Sequence, residues 1–431
     1  MTNEIICHES SRLREKYYEI NHRSGLKIFV FPKNFSVCYA VLGTKFGSAD
    51  HTYVLNGNKV ELPDGTAHFL EHKLFENENG LNADEIFTSL GAEVNAYTTY
   101  TATRYLFSAT DNYRECLETL LTFVSNPFFT EENVEKEQGI IAQEILMYDD
   151  DPYEVAMENC LKGMYKYSGV RHSICGSVES ISKITPSILF EAYKAFYNLH
   201  NMMLAVCGNI SATEVAQIAD RILPERSEEF SALRESFSES DEVFKSHVEK
   251  RMNVSTPLFF IGVKDTIADI CDGYKRIKRS LSMTILNNML FAGTGELYND
   301  MLKEGLITPS FSFGYSIGEV CAMNSFSGIS DFPDKVLEKL KEKACSAANG
   351  DLSEKDFERS KRSSFSAFLK SFDSSAEIAD DVLSSLLSSG VDPFDVPEII
   401  ESISFDDVKL CAKEIFGKQN NWTASFILPL S

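Results

Sequence analysis

The sequence predicts two structurally related α+β domains in one chain, each combining strands with long helices. Three observations carry that prediction. First, a pattern recurs at an offset of about 220 residues. Glu179-Ser180-Ile181-Ser182 opens a helical stretch that runs to Phe196 and on to the apolar run Met202–Gly208. Glu401-Ser402-Ile403-Ser404 opens a like stretch that runs to Phe416 and on to Ala424-Ser425-Phe426-Ile427-Leu428. Second, Thr130-Glu131-Glu132-Asn133-Val134-Glu135-Lys136 is matched by Ser353-Glu354-Lys355-Asp356-Phe357-Glu358-Arg359, each a hydroxyl N-cap followed by acids in the first turn. Third, the stretch from Glu225 to Glu242 holds seven acids and five serines and only four apolar residues, the signature of a linker. These observations place a first domain at residues 1–224, an acidic, Ser-rich linker at 225–245 and a homologous second domain at 246–431.

Along the chain, residues 26–31 and 37–43 read as strands, and a β-rich stretch covers 94–108. Helical periodicity covers 111–124, 131–147 and 187–196. The runs Met202-Met203-Leu204-Ala205-Val206-Cys207 and Leu258-Phe259-Phe260-Ile261-Gly262-Val263, on either side of the linker, read as buried strands. No Gly-x-x-x-x-Gly-Lys phosphate loop and no Gly-x-Ser-x-Gly elbow occurs.

The 431 residues carry 41 Lys+Arg against 64 Asp+Glu, a net charge of −23 that argues against nucleic acid and anionic membrane surfaces as partners. With 43% hydrophobic residues the chain can bury large cores, yet no run approaches the length of a spanning helix. The polar stretch from Met1 to Glu19 has no apolar signal region. Ten scattered cysteines, no two of them spaced Cys-x-x-Cys, suit reduced thiols, and a cytoplasmic protein is expected.

The segment Gly65-Thr66-Ala67-His68-Phe69-Leu70-Glu71-His72-Lys73-Leu74-Phe75 carries the chemistry. On a helix, His68 and His72 stand one turn apart on one face, and Glu71 shares that face. Two imidazoles so spaced suit one zinc ion, and the adjacent carboxylate is placed to take a proton from a water there. The competing reading is a helix with two satisfied histidines and a solvated acid.

A hydrolytic zinc needs a third protein ligand and an open position. Downstream, Glu137 and Glu144 lie seven residues apart on one predicted helix, about 10 Å along its axis, so both cannot bind one ion. Glu144, among Ile140, Ile141, Ile145 and Leu146, reads as the ligand, since a metal removes the cost of burying its charge. Glu137, in the more polar part, suits a supporting role, with an ordinary surface acid as the alternative. The repeat serves as an internal control. The second half has Ser360 and Ala367 at the positions of Glu137 and Glu144, and all eight histidines lie at or before His247.

His68-Phe69-Leu70-Glu71-His72, with Glu137 and Glu144 seven apart downstream, resembles the inverted-zincin peptidases of the pitrilysin/insulinase family. The likeness covers essentially the whole chain and is greatest for the short, two-domain bacterial branch similar to processing peptidases. It implies two repeated α/β-roll domains with mixed sheets, with zinc on His68, His72 and Glu144. Glu71 would be the general base and Glu137 a supporting carboxylate. Asn95-Ala96-Tyr97 matches the family's sheet-edge strand that pairs with substrate backbone; from the residues alone an internal strand is the competing reading. The resemblance further implies a zinc endopeptidase acting on short or unfolded peptides in a chamber formed by paired halves or subunits.

One departure stands out. Active family members carry an Arg and a Tyr seven residues apart around a Gly-Leu in the second domain, and aligned on Gly305-Leu306 those positions are Met301 and Thr308. Lys303 and Tyr315 are near but out of register. The resemblance therefore implies a heterodimer with a homologous two-domain subunit that supplies Arg and Tyr. The alternative is a catalytically weak or inactive structural or interaction subunit of the same family.

Overall fold

The 220-residue repeat reappears strand by strand in the computed structural model, which describes residues 3–78, 80, 82–226, 232–235, 237–265 and 272–430. Parts of the acidic stretch (227–231 and 236) and Cys271 lie outside the described residues. In the first sheet the strands run Glu4–Ser10, Glu15–Asn21, Lys27–Pro32, Met202–Gly208, Cys38–Thr44, Thr103–Ala109, Glu93–Thr98. In the second they run His247–Met252, Trp422–Pro429, Leu258–Lys264, Ala322–Ile329, Ser312–Ile317. The last five strands of the first sheet match the five of the second in order. In both, the first of those pairs is parallel and the rest antiparallel. The fold is thus the repeated α+β architecture with mixed sheets and long helices that the sequence predicts. An N-terminal hairpin, Glu4–Ser10 with Glu15–Asn21, extends the first sheet by two strands.

Burial follows position. The central strand Cys38–Thr44 is buried along its whole length, as a strand covered on both faces must be. Thr103–Ala109 alternates buried and half-buried residues, one face toward the main core. That core gathers Phe69, Leu70 and Leu74 of the helix Thr66–Leu74 with Leu117, Leu120 and Leu121 of the helix Tyr113–Ser125.

The chain divides into two compact units, and each borrows from the far half of the sequence. One unit comprises residues 1–145, 172–236 and 369–394; the other comprises 146–171, 237–368 and 395–431. In the first, the helix Ser375–Ser388 lays Ile378, Val382 and Leu383 against Phe29, Phe31, Val41 and Ala205 on the sheet's second face. In the other, the helix Pro152–Met164 packs on the strands Leu258–Lys264 and Trp422–Pro429. Gly262 permits this, because a Cβ there would meet the Met164 methyl at 2.3 Å and the Cys160 sulfur at 2.8 Å.

Of the acidic stretch, Leu233–Arg234 forms a short strand beside Thr52–Leu55, and Arg234 binds the buried Asp50 carboxylate. Glu239 accepts main-chain N–H groups from Lys166, Tyr167 and Ser168 and pairs with Lys264 at 3.2 Å. No helix among the described residues is long and apolar enough to cross a membrane, and the described cysteines are free thiols.

Candidate metal centre

Two helices build the site, and the site residues they carry all lie in the first unit. Thr66–Leu74 starts at Gly65, whose φ of +90° is left-handed backbone that glycine adopts without strain. A Cβ there would stand 2.5 Å from the Cys175 carbonyl oxygen, so the helix start presses directly on that loop. The contact is reciprocal: Gly176, φ +75°, would set a Cβ 2.4 Å from the Asp64 carbonyl. With Phe69, Leu70 and Leu74 fully buried, the helix turns His68, Glu71 and His72 to one side. The second helix, Glu131–Asp150, is capped as its sequence predicts. The Thr130 hydroxyl accepts the Asn133 N–H, and the Asn133 side chain accepts the Thr130 N–H.

These helices bring His68, His72 and Glu144 together, with one ligand atom from each lying within 4.8 Å of the others. Glu144 stands 3.6 Å from His68 Nε2 and 3.4 Å from His72 Nε2. Glu137, a turn and more away along the helix, accepts instead from His72 Nδ1 at 3.1 Å. Glu71 lies on the same helix as the histidines and accepts the Thr98 hydroxyl at 2.6 Å.

The two helix carboxylates differ from expectation in burial. Glu137 is only 6% exposed, while the Glu144 side chain is 23% exposed. Ile140 and Leu146 near Glu144 are about half exposed as well, at 47% and 49%. The reason is helical phase: Val134, Glu137, Ile141 and Ile145 form the buried stripe, and Glu144 sits at its margin.

The electrostatics suit a cation. Hydrogen bonding by His68 and His72 holds the Glu144 carboxyl well below the usual carboxylate range. Burial opposes the charge on His72, yet Glu137 and Glu144 push its imidazole up to about 10. Burial likewise opposes the charge on Glu137, but the His72 hydrogen bond, the His72 charge and Lys73 bring its carboxyl below the usual range. Burial pushes the Glu71 carboxyl up, against the pull of the His68 charge and the Thr98 hydroxyl. Two imidazoles and a carboxylate converging in a negative field form a donor set that fits zinc. The buried Nδ1 of His68 has no hydrogen-bond partner among the described residues, and its Nε2, on the Glu144 side, lies 3.9 Å from the Cys175 sulfur.

The strand Glu93–Thr98, holding Asn95, Ala96 and Tyr97, is an edge of the seven-stranded sheet, paired among the described residues with Thr103–Ala109 alone. Asn95 turns its side-chain oxygen to the Ala96 N–H at 2.8 Å, and Tyr97 sits under Arg104.

In the other unit, Met301 is 1% exposed within the core, and the Thr308 hydroxyl lies 2.7 Å from that of Ser310. Tyr315 donates to Asp265 at 2.6 Å, an acid that Arg279 also binds, whereas Lys303 is exposed and paired with Asp300. Sequence reasoning missed Thr98 as a partner of Glu71, the glycine-locked loop at Cys175, and Lys73. For Lys73 a signal existed: four residues after Phe69, it falls on the helix's apolar stripe.

A family model described as Insulinase (Peptidase family M16) matches residues 52–177, and one described as Peptidase M16 inactive domain matches residues 183–364. The chain is 36% identical over 411 residues to the "uncharacterized zinc protease YmfH" of Bacillus subtilis (strain 168), spanning 94% of this chain and 95% of that protein. It is 26% identical over 167 residues to a "probable mitochondrial-processing peptidase subunit beta" of Arabidopsis thaliana, spanning 37% of this chain and 32% of that one. The crystal structure of a "putative M16-like peptidase" from Alicyclobacillus acidocaldarius superposes with a TM-score of 0.90 at 29% identity, covering 100% of this chain and 99% of that chain.

Proposed function

Because the chain belongs to the insulinase family of peptidases, we propose that it is a zinc-dependent endopeptidase of short or unfolded peptides. In this reading His68, His72 and Glu144 hold the metal, Glu71 is the general base, and a partner chain completes the site. The observation that carries it is the convergence of His68 and His72, which share a helix with Glu71, on Glu144 of a second helix.

Zinc, when bound, supplies a Lewis acid that polarises the scissile carbonyl and acidifies water. The rest falls to the chain's own residues. Glu71, between the two histidines on their helix, takes a proton from water and returns it to the leaving amine. Burial, which raises its affinity for the proton, suits a group that must both accept and release one. The Thr98 hydroxyl orients one Glu71 oxygen, leaving the other to serve the reaction. Glu137 fixes the His72 ring through Nδ1, turning Nε2 to the metal side. The strand Glu93–Thr98, holding Asn95, Ala96 and Tyr97, lies at the sheet edge, where strand addition is a mode of holding extended peptide that tolerates many sequences.

The developing oxyanion needs donors, and losing one costs about 10²–10³ in rate. Buried Met301 offers none, and Tyr315 is committed to Asp265. We therefore assign that role to Arg and Tyr of a homologous two-domain subunit. The same buried Met301 favours the second reading, a family member kept for structure or interaction without turnover.

Purified chain is assayed for bound metal and for peptide hydrolysis, alone and with two-domain homologues that carry the Arg/Tyr pair. Zinc at one per chain, weak activity alone, a large gain on mixing and its loss in Glu71→Gln support the peptidase. Equal hydrolysis by wild type and Glu71→Gln overturns it, and zinc-loaded chain inert with every such homologue favours the second reading.

A further inference from the structure

Lys73 directly follows the ligand His72 and is fully buried, at 0% exposure. It lies on the core-facing stripe of its helix with Phe69, Leu70 and Leu74. An ammonium group in such a place is costly unless its charge is matched and its donors are used. Three groups meet it: the Glu76 carboxylate at 2.7 Å, the main-chain oxygen of Asn133 at 3.1 Å and Glu137 Oε2 at 3.8 Å. Asn133 and Glu137 stand one turn apart on the helix Glu131–Asp150, so Lys73 lies against the turn that leads toward Glu144.

The Glu137 carboxylate is held at both ends by adjacent residues of the other helix. Its Oε1 takes the His72 Nδ1 proton at 3.1 Å, and its Oε2 faces Lys73. A methionine or leucine at position 73 would fill the same space with no charge to desolvate, so packing alone gives no reason for a lysine.

We infer that Lys73 is a positioning residue for the metal centre: it orients Glu137, and through it the His72 ring, and ties the His68/His72 helix to the helix that carries Glu144. The inference rests on the reading that His68, His72 and Glu144 bind zinc. With the lysine gone, Glu137 Oε2 loses its cation and the Asn133 carbonyl loses its link to the motif helix. The three ligands are then no longer held at one separation.

The test measures metal, not turnover. Wild type and Lys73→Met are titrated with zinc against a chromophoric chelator at fixed pH, and the visible spectrum of each cobalt-loaded protein is recorded. Far-ultraviolet circular dichroism checks the fold. Loss of a supporting contact typically weakens metal binding about 10–100-fold. Lys73→Met is expected to show a loss of that size, a changed cobalt spectrum and unchanged helix content. Because Lys73→Met leaves Glu76 and Glu137 without their cation, Lys73→Met/Glu76→Gln keeps the local charge and should show the same loss in a well-folded protein. Wild-type zinc affinity with an unchanged cobalt spectrum in either folded variant overturns the inference, even if its metal-free melting point falls, since Lys73 is then a strut alone. Wild type that takes up no zinc overturns the metal reading itself, and this inference with it.

Discussion

Replacing Gly65 with alanine tests whether the start of the motif helix is locked as the geometry requires. Gly65 has φ of +90°, where an L-residue costs about 1–2 kcal/mol. The new Cβ would stand 2.5 Å from the Cys175 carbonyl oxygen and 3.1 Å from the Ile181 Cγ2, so main chain must move. Overpacking of this kind costs a further 1–3 kcal/mol or so. Together Gly65→Ala should lose about 2–5 kcal/mol, a fall of roughly 4–20 °C in melting point for a unit of this size. Gly139, on the second ligand helix, is the control, because a Cβ there meets nothing within 4 Å. Gly139→Ala should gain up to about 1 kcal/mol from helix propensity. Calorimetry on both metal-free variants gives the comparison. A Gly65→Ala midpoint within about 2 °C of wild type, or equal losses in the two variants, would refute the steric argument.

Two predictions concern the other unit. Glu239→Gln should cost about 2–4 kcal/mol at neutral pH, because three main-chain donors and Lys264 lose a charged acceptor. Burial raises the Glu239 pKa, but those N–H groups and the Lys264 charge outweigh it and hold the carboxyl below its ordinary 4.5. A depressed folded value gives stability that is complete above the unfolded value and is lost as pH falls through the folded one. The gap between wild type and Glu239→Gln in denaturant titrations should therefore close below pH 4.5, and a gap constant down to pH 3 would contradict this. Met301→Arg, although it restores the family's residue type, should destabilise by about 3–5 kcal/mol without raising peptidase activity, since position 301 is 1% exposed. A stable, more active Met301→Arg protein would show that the side chain reaches the site after all.

The parts of the site that follow from helical spacing were legible in the sequence. His68, Glu71 and His72 share a face because they are three and four apart. Glu144 and Glu137 cannot reach one ion because they are seven apart. The repeat was legible for a similar reason: matched strands begin 219 or 220 residues apart, as at Cys38 and Leu258. Burial was not legible, because it depends on what packs against a helix. Glu137 lies in a polar run yet falls on the stripe of Val134, Ile141 and Ile145, and only the packed structure supplies Lys73 as its neighbour. The hairpin Glu4–Ser10 and Glu15–Asn21 escaped notice because its half-exposed strands carry mixed polar residues. Nor does an amphipathic pattern name its partner. The helix 375–388 was not read from the sequence, and nothing in its residues says that the surface it covers is a sheet of the opposite half.

That crossing of helices sets a timetable for synthesis. The last strand of the first sheet, Met202–Gly208, leaves the ribosome about 180 residues before the end of Ser375–Ser388, the helix that covers the sheet's second face. At synthesis rates of about 5–20 residues per second the wait is on the order of 10–40 s. Throughout it Phe29, Phe31, Val41 and Ala205 have no cover from their own unit. The nascent chain must therefore carry a bare apolar sheet while about 180 of its 431 residues are made, a standing demand for chaperones. A stop codon between residues 209 and 374 leaves His68, His72 and Glu144 in place on a unit whose sheet lacks its covering helix.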